Sequence, residues 1–168
     1  TMENTDTLQP IPEQLAFTEK IKKPFALFLF FVLKIPTLFW WGVRLEKINC
    51  FEATVILPFL KRTQNPFKSI YFAAQSGAAE LASGLLATMA TEGMGSISTL
   101  VTEVSGTYIK KANQPVYFTC LQGEDIRKVV SDSVKDKTPG SIQTKVVGTF
   151  KDGTLVSSHL ITWSFKSR

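Results

Sequence analysis

The sequence predicts an α+β domain in which one antiparallel sheet wraps around a single long central helix, with an extra apolar helix on the N-terminal side. Three observations carry this. Ser69 to Glu92 is built of Ala, Gly, Leu and Ser, with no Pro and no β-branched run after Ile70, and at the helical rise it extends about 36 Å. The segments around it alternate apolar and polar residues with period two, the signature of strands with one buried face. Asp152-Gly153 between two such runs is a hairpin turn signal.

Taken in order, residues 1–20 are polar, open on a Thr-Met that reads as the remnant of a cleaved tag, and are expected to form a frayed, disordered leader. A single domain then fills residues 21–168, since the 168-residue chain, 44% hydrophobic, suffices for one core and not for two. Residues 21–42 form the N-terminal helical segment. Its stretch Pro24 to Val43 is intensely apolar, but Lys34 interrupts it and Pro36 follows, so no uncharged run reaches the ~20 residues that cross a bilayer. Two short amphipathic pieces hinged at Ile35-Pro36 are expected. Both packing on the domain and peripheral contact with a membrane surface through residues 25–41 suit them, the latter because Lys22, Lys23 and Arg44 flank the aromatics.

Val43 to Arg62 reads as one strand and Thr63 to Phe67 as a loop into the central helix, residues 69–92. Strands follow at Ile97 to Lys111 and Val116 to Gln122. A helix at Glu124 to Lys137 has acids in its first turn and lysines in its last, the order its dipole favours. Ser141 to Phe150 and Thr154 to Lys166 close the chain as a hairpin. This order is that of the hotdog fold, in which Ala73, Ala74, Gly77, Ala78, Ala82 and Gly84 would let sheet and helix approach closely.

Charge and composition exclude several function classes. Lys and Arg number 19 against 14 acids, a net +5, but they are scattered singly or in pairs, so no basic arm for nucleic acid is present. Cys50 and Cys120 match no metal spacing and lie in apolar runs, as expected of reduced core residues in a cytoplasmic protein; no metal site is expected. The chain has no G-x-S-x-G motif, and its one histidine, His159, lies in the last strand far from the long helix.

Glu80 is the one charge between Lys68 and Glu92, in a helix suited to burial on nearly every face. A buried acid costs several kcal/mol unless paired or neutral, so Glu80 calls for a partner or a chemical task. Ser76 and Ser83 share its face and could satisfy its oxygens. Asn65 precedes the helix, where it could cap it or serve a site.

Asn65, position 71 and an acid at position 80 share the spacing of the hotdog acyl-coenzyme A thioesterases of the phenylacetate type. NPFKSIYFAAQSGAAELASG resembles more closely still an uncharacterised hotdog subfamily carried as a domain of unknown function. The resemblance covers roughly residues 25 to 165. It implies a homodimer with clefts between subunits and hydrolysis of an acyl-coenzyme A or related thioester, with no separate cofactor because coenzyme A is part of the substrate. It also implies that Glu80 acts as base or nucleophile, that the Phe72 N–H polarises the carbonyl, and that Asn65 orients the reactants. The family's His-Gly-Gly is Tyr71-Phe72-Ala73 here; Tyr71 keeps a hydroxyl able to donate a hydrogen bond. Lys61, Arg62, Lys110 and Lys111 are candidate contacts for the coenzyme phosphates. The alternative is a non-catalytic acyl- or lipid-binding hotdog protein at a membrane surface.

Overall fold

A computed structural model describes residues 8–168. Its elements are α1 (Pro12–Ile21), α2 (Pro24–Lys34), α3 (Pro36–Trp41), β1 (Arg44–Ile48), β2 (Ala53–Leu57), α4 (Phe72–Thr91), β3 (Ile97–Tyr108), β4 (Val116–Cys120), α5 (Gly123–Asp136), β5 (Gly140–Thr149) and β6 (Leu155–Ser167). The six strands form one antiparallel sheet in the order β1-β2-β4-β5-β6-β3, and its inner face curls around α4 in the hotdog manner. The small side chains of α4 bring helix and strands into contact. Ala74, Ala78, Ala79, Ala82, Ala87 and Ala90 are all buried, and α5 packs on another side of the helix.

Two expectations are corrected. The leader expected to be disordered over residues 1–20 is helical in part: Pro12 to Ile21 form helix α1, docked on the end of α4, while residues 1–7 of that expectation lie outside the described residues. The inward stripe of α1 is Gln14, Thr18 and Ile21, mostly polar, so hydrophobic periodicity gave no signal. The Gln14 side chain instead satisfies backbone: its amide donates to the Ala90 carbonyl (3.1 Å) and its oxygen accepts from Ile11 N–H (3.2 Å). The single strand expected from Val43 to Arg62 is two, β1 and β2. Asn49 Oδ1 accepts from the N–H groups of Phe51 (2.8 Å) and Glu52 (3.0 Å), an Asx turn that reverses the chain. At that corner Gly123 lies so close to the Cys50 carbonyl that a Cβ would stand 2.4 Å from its oxygen.

Pro24 and Pro36 each occupy the first turn of their helices, where the missing N–H costs nothing. Leu38 and Trp41 of α3 close over Gly77, where a Cβ would come within 3.2 and 3.1 Å of them. Arg62 donates to the Trp40 carbonyl and lies over the Trp40 ring, tying α3 to the loop before α4. Arg127 is buried and pairs with no acid among the described residues; it bonds the Cys50 and Leu8 carbonyls and rests over the Phe51 ring. No helix among the described residues is long and apolar enough to cross a membrane.

Candidate active site

Apart from the exposed Phe72 at its start, the residues of α4 that remain partly open are Ala73, Ser76, Gly77, Glu80, Gly84, Thr88 and Thr91, which fall on one narrow stripe of a helix otherwise buried. Glu80 sits mid-stripe in a recess of about 170 Å³ with Phe30, Ile35, Gly84, Thr88, Thr99 and Trp163 among its walls. Gly84, one turn on, makes room for the acid: a Cβ there would meet Glu80 Oε1 at 3.2 Å and the Trp163 ring at 3.4 Å.

Neither serine of that face satisfies the carboxylate. Ser83 Oγ donates to the Glu80 backbone carbonyl (3.1 Å) and accepts from Trp163 Nε1 (3.0 Å), so its hydroxyl holds the indole wall in place. Ser76 Oγ bonds the Tyr108 hydroxyl (2.8 Å). Among the described residues no side chain bonds or pairs with the Glu80 carboxylate. Burial with no charged partner to offset it pushes the carboxyl above its ordinary value, towards the range of a working base.

A second recess of about 320 Å³ lies at the other end of the stripe, lined by Asn65, Ser69, Phe72, Gln75, Tyr108, Lys110 and Lys111. Phe72 is the first residue of α4, so its N–H is one of the helix's unpaired donors. Asn65 does not cap the helix. Its Oδ1 accepts from Phe67 N–H (3.0 Å), Ser69 N–H (3.2 Å) and Ser69 Oγ (3.1 Å), which folds the loop and leaves its amide nitrogen to donate elsewhere. Tyr71 is exposed, edge-on to Phe72 at 4.9 Å, in a shallow hollow with Gln64 and Phe67, away from Glu80. Lys61 is exposed beside Arg62, whose guanidinium is engaged with Trp40, so of the four basic candidates only Lys110 and Lys111 line a recess that holds other site candidates.

Sequence reasoning missed Gln75 and Tyr108. Gln75 lines the second recess; its Nε2 donates to the Ile70 carbonyl (3.2 Å), while its buried Oε1 has no partner among the described residues. Tyr108 reaches Phe72 carbonyl (3.3 Å) from the end of β3. Only the fold brings β3 to this helix end, so no local signal marked it.

In one chain Glu80 and Phe72 are eight residues apart on a rigid helix, about 12 Å along its axis. No recess among those described is lined by both.

His159 is fully buried in β6, Nε2 3.1 Å from Ser157 Oγ and Nδ1 without a partner; Tyr108 and Phe118 meet its ring edge-on. Burial lowers its pKa to about 4. Because the unfolded chain binds this proton near pH 6.5 and the folded one only near 4, stability should fall as pH drops between those values, by roughly 2–3 kcal/mol. Urea midpoints across that window should decline more steeply for the wild type than for His159→Gln. Among the described residues no group of three His, Cys, Asp or Glu is placed to hold a metal ion.

Comparison with known proteins now bears on these features. The family described as Domain of unknown function (DUF4442) matches residues 26–165. The chain belongs to that family. Three solved structures are similar to this DUF4442 chain. A Pseudomonas aeruginosa protein called a probable thioesterase is 18% identical, with a TM-score of 0.69 over 95% of this chain and 99% of its own. A Chlorobaculum tepidum protein of unknown function is 13% identical, with a TM-score of 0.72 over 96% and 99%. A Haemophilus influenzae thioesterase is 11% identical, with a TM-score of 0.62 over 80% and 85%. At such identities the likeness is one of fold. Among curated proteins nothing matches the sequence.

Proposed function

We propose that this DUF4442 protein hydrolyses an acyl-coenzyme A or related thioester. The observation that carries the reading is the unpaired, partly open Glu80 carboxylate of raised pKa inside an apolar recess. As base, Glu80 takes a proton from water, and the hydroxide adds to the thioester carbonyl carbon. The oxyanion forms against the Phe72 N–H at the positive end of the helix dipole. Collapse breaks the C–S bond, and Glu80 returns the proton to the departing thiolate, so that carboxylic acid and thiol leave. Attack by Glu80 itself, with a mixed anhydride then hydrolysed, uses the same groups. The Asn65 amide would orient the carbonyl or water, and Lys110 and Lys111 would meet the coenzyme phosphates.

The 12 Å between the two groups leads the reading to a homodimer, in which Glu80 of one copy faces the α4 N-terminus of the other. Two features support it. β3 runs 12 residues along the sheet edge and, among the described residues, pairs only with β6, leaving a long ladder of donors and acceptors open. Val104 and Tyr108 stand opposite the inward-facing Ile161 and Ser157, so both face the helix side, yet they are 46% and 42% exposed. A second copy would cover them. A panel of acyl-coenzyme A thioesters, assayed for thiol release with wild type and Glu80→Gln, tests the function; no release by wild type, or equal release by both, overturns it.

One surface favours a second reading, a non-catalytic lipid binder at a membrane. Phe25, Phe28, Phe39 and Trp40 are exposed on α2 and α3, with Lys22, Lys23 and Lys34 close by in sequence. It predicts that the protein sediments with phosphatidylglycerol vesicles, that Phe25→Ser with Trp40→Ser abolishes this, and that no thioester is hydrolysed.

A further inference from the structure

The first helices do more than cover the core. α2 packs on α1 and α3, which in turn rest on α4, so α2 bridges them and leaves a gap over the C-terminal half of α4. The gap is a groove of about 540 Å³, within the size range of ligand sites. Phe17, Ile21, Phe25, Leu29, Phe30 and Leu33 supply most of its walls. Its charged lining residues, Lys20, Lys34 and Glu92, all lie at or just beyond the C-terminal ends of α1, α2 and α4, and the wall between them is apolar.

Phe30 and Thr88 line both this groove and the recess of Glu80, so the two cavities adjoin. Along α4 the shared floor is Glu80, Gly84, Thr88 and Glu92, one residue per turn on one face. It extends about 18 Å, the length of an extended hydrocarbon on the order of a dozen carbons. Phe25 and Leu33 on the groove wall are 73% and 70% exposed, an apolar surface left open to solvent next to the recess of Glu80.

We infer that the groove between α1, α2 and α4 seats the acyl tail of the substrate, a linear unsubstituted chain of roughly a dozen carbons whose thioester lies at Glu80. The inference rests on the thioester reading above and narrows it: short, branched or polar acyl groups leave the groove empty and bind weakly.

The test uses the full chain and straight-chain acyl-coenzyme A thioesters from butanoyl to hexadecanoyl. For wild type, KM should fall about 4-fold per added methylene until the groove is full, then level off. Ala26→Trp, which fills the groove from α2, should move the plateau to shorter chains. Leu33→Asp, at an exposed position where folding is not at stake, should weaken the long-chain preference in the same direction. A KM independent of length, or a wild-type length profile in both variants, overturns the groove assignment.

Calorimetry with non-hydrolysable thioether analogues of dodecanoyl- and butanoyl-coenzyme A separates the two failures. If nothing is hydrolysed but the dodecanoyl analogue binds at least 10-fold more tightly than the butanoyl one, and Ala26→Trp removes the difference, the groove holds an acyl tail and only the hydrolase reading fails. Equal binding of both analogues overturns the groove.

Discussion

Glu80→Gln should lower kcat for acyl thioester hydrolysis by about 10²–10⁴ while making the protein more stable, two changes in opposite directions from one atom. The loss follows from removing the proton acceptor, since Gln fills the same space and leaves the Trp163 wall and the Ser83 hydrogen bonds untouched. The gain follows from linkage. Burial raises the carboxyl pKa above its ordinary 4.5, so the ionised form is disfavoured in the folded state. The acid costs no stability below about pH 4.5 and costs progressively more as pH rises through the folded-state value. At pH 8 the glutamine variant should melt higher than wild type, and the gap should close below pH 4.5. Thermal melts at the two pH values, beside thiol-release assays, read both changes. A variant that loses activity and stability together would mean that Glu80 holds the fold and performs no chemistry.

Val104→Glu should convert a dimer into a monomer and reduce turnover by at least about 10², with no loss of folded structure. Val104 is exposed in the single chain and touches the free edge of the sheet, so a charge there costs the monomer little. In a dimer joined at β3 the same position meets its counterpart near the symmetry axis, where two like charges would face each other. Activity should fall because the acid and the helix N-terminus are about 12 Å apart within one chain and, on the proposed reading, would act together only across two. Sedimentation velocity gives the assembly state. Mixing gives the sharing: inactive Glu80→Gln and Asn65→Ala chains, combined and allowed to exchange, should recover about a quarter of wild-type activity, because half the dimers then carry one intact site. Recovery of nothing would place the acid and Asn65 in the same chain and overturn the shared site.

Much of this was legible locally. The place of α4 followed from its Ala-Gly-Leu composition, although the helix is shorter than the expected residues 69–92, and the β5–β6 hairpin followed from Asp152-Gly153, because helix propensity and turn chemistry act within a few residues. Glu80 stood out as one charge among two dozen uncharged neighbours, which needs no knowledge of what surrounds it. The loop role of Asn65 was half legible: its position was clear, but its three hydrogen bonds to residues 67 and 69 depend on a loop geometry that an Asn before a Pro does not specify. Helix α1 escaped notice because its buried face is Gln14 and Thr18, side chains that enter the core only where the end of α4 offers a carbonyl to bond.

The amino-acid order alone marked the long helix, the alternating strand segments and the one acid inside that helix, since helix propensity and period-two patterning act between near neighbours along the chain. Which groups surround the acid was decided only by tertiary structure. The Trp163 wall comes from β6, Phe30 and Ile35 come from the N-terminal segment, and Tyr108 arrives at the far end of the helix from β3. Those contacts join residues dozens of positions apart, and their energies exist only after the chain has closed on itself.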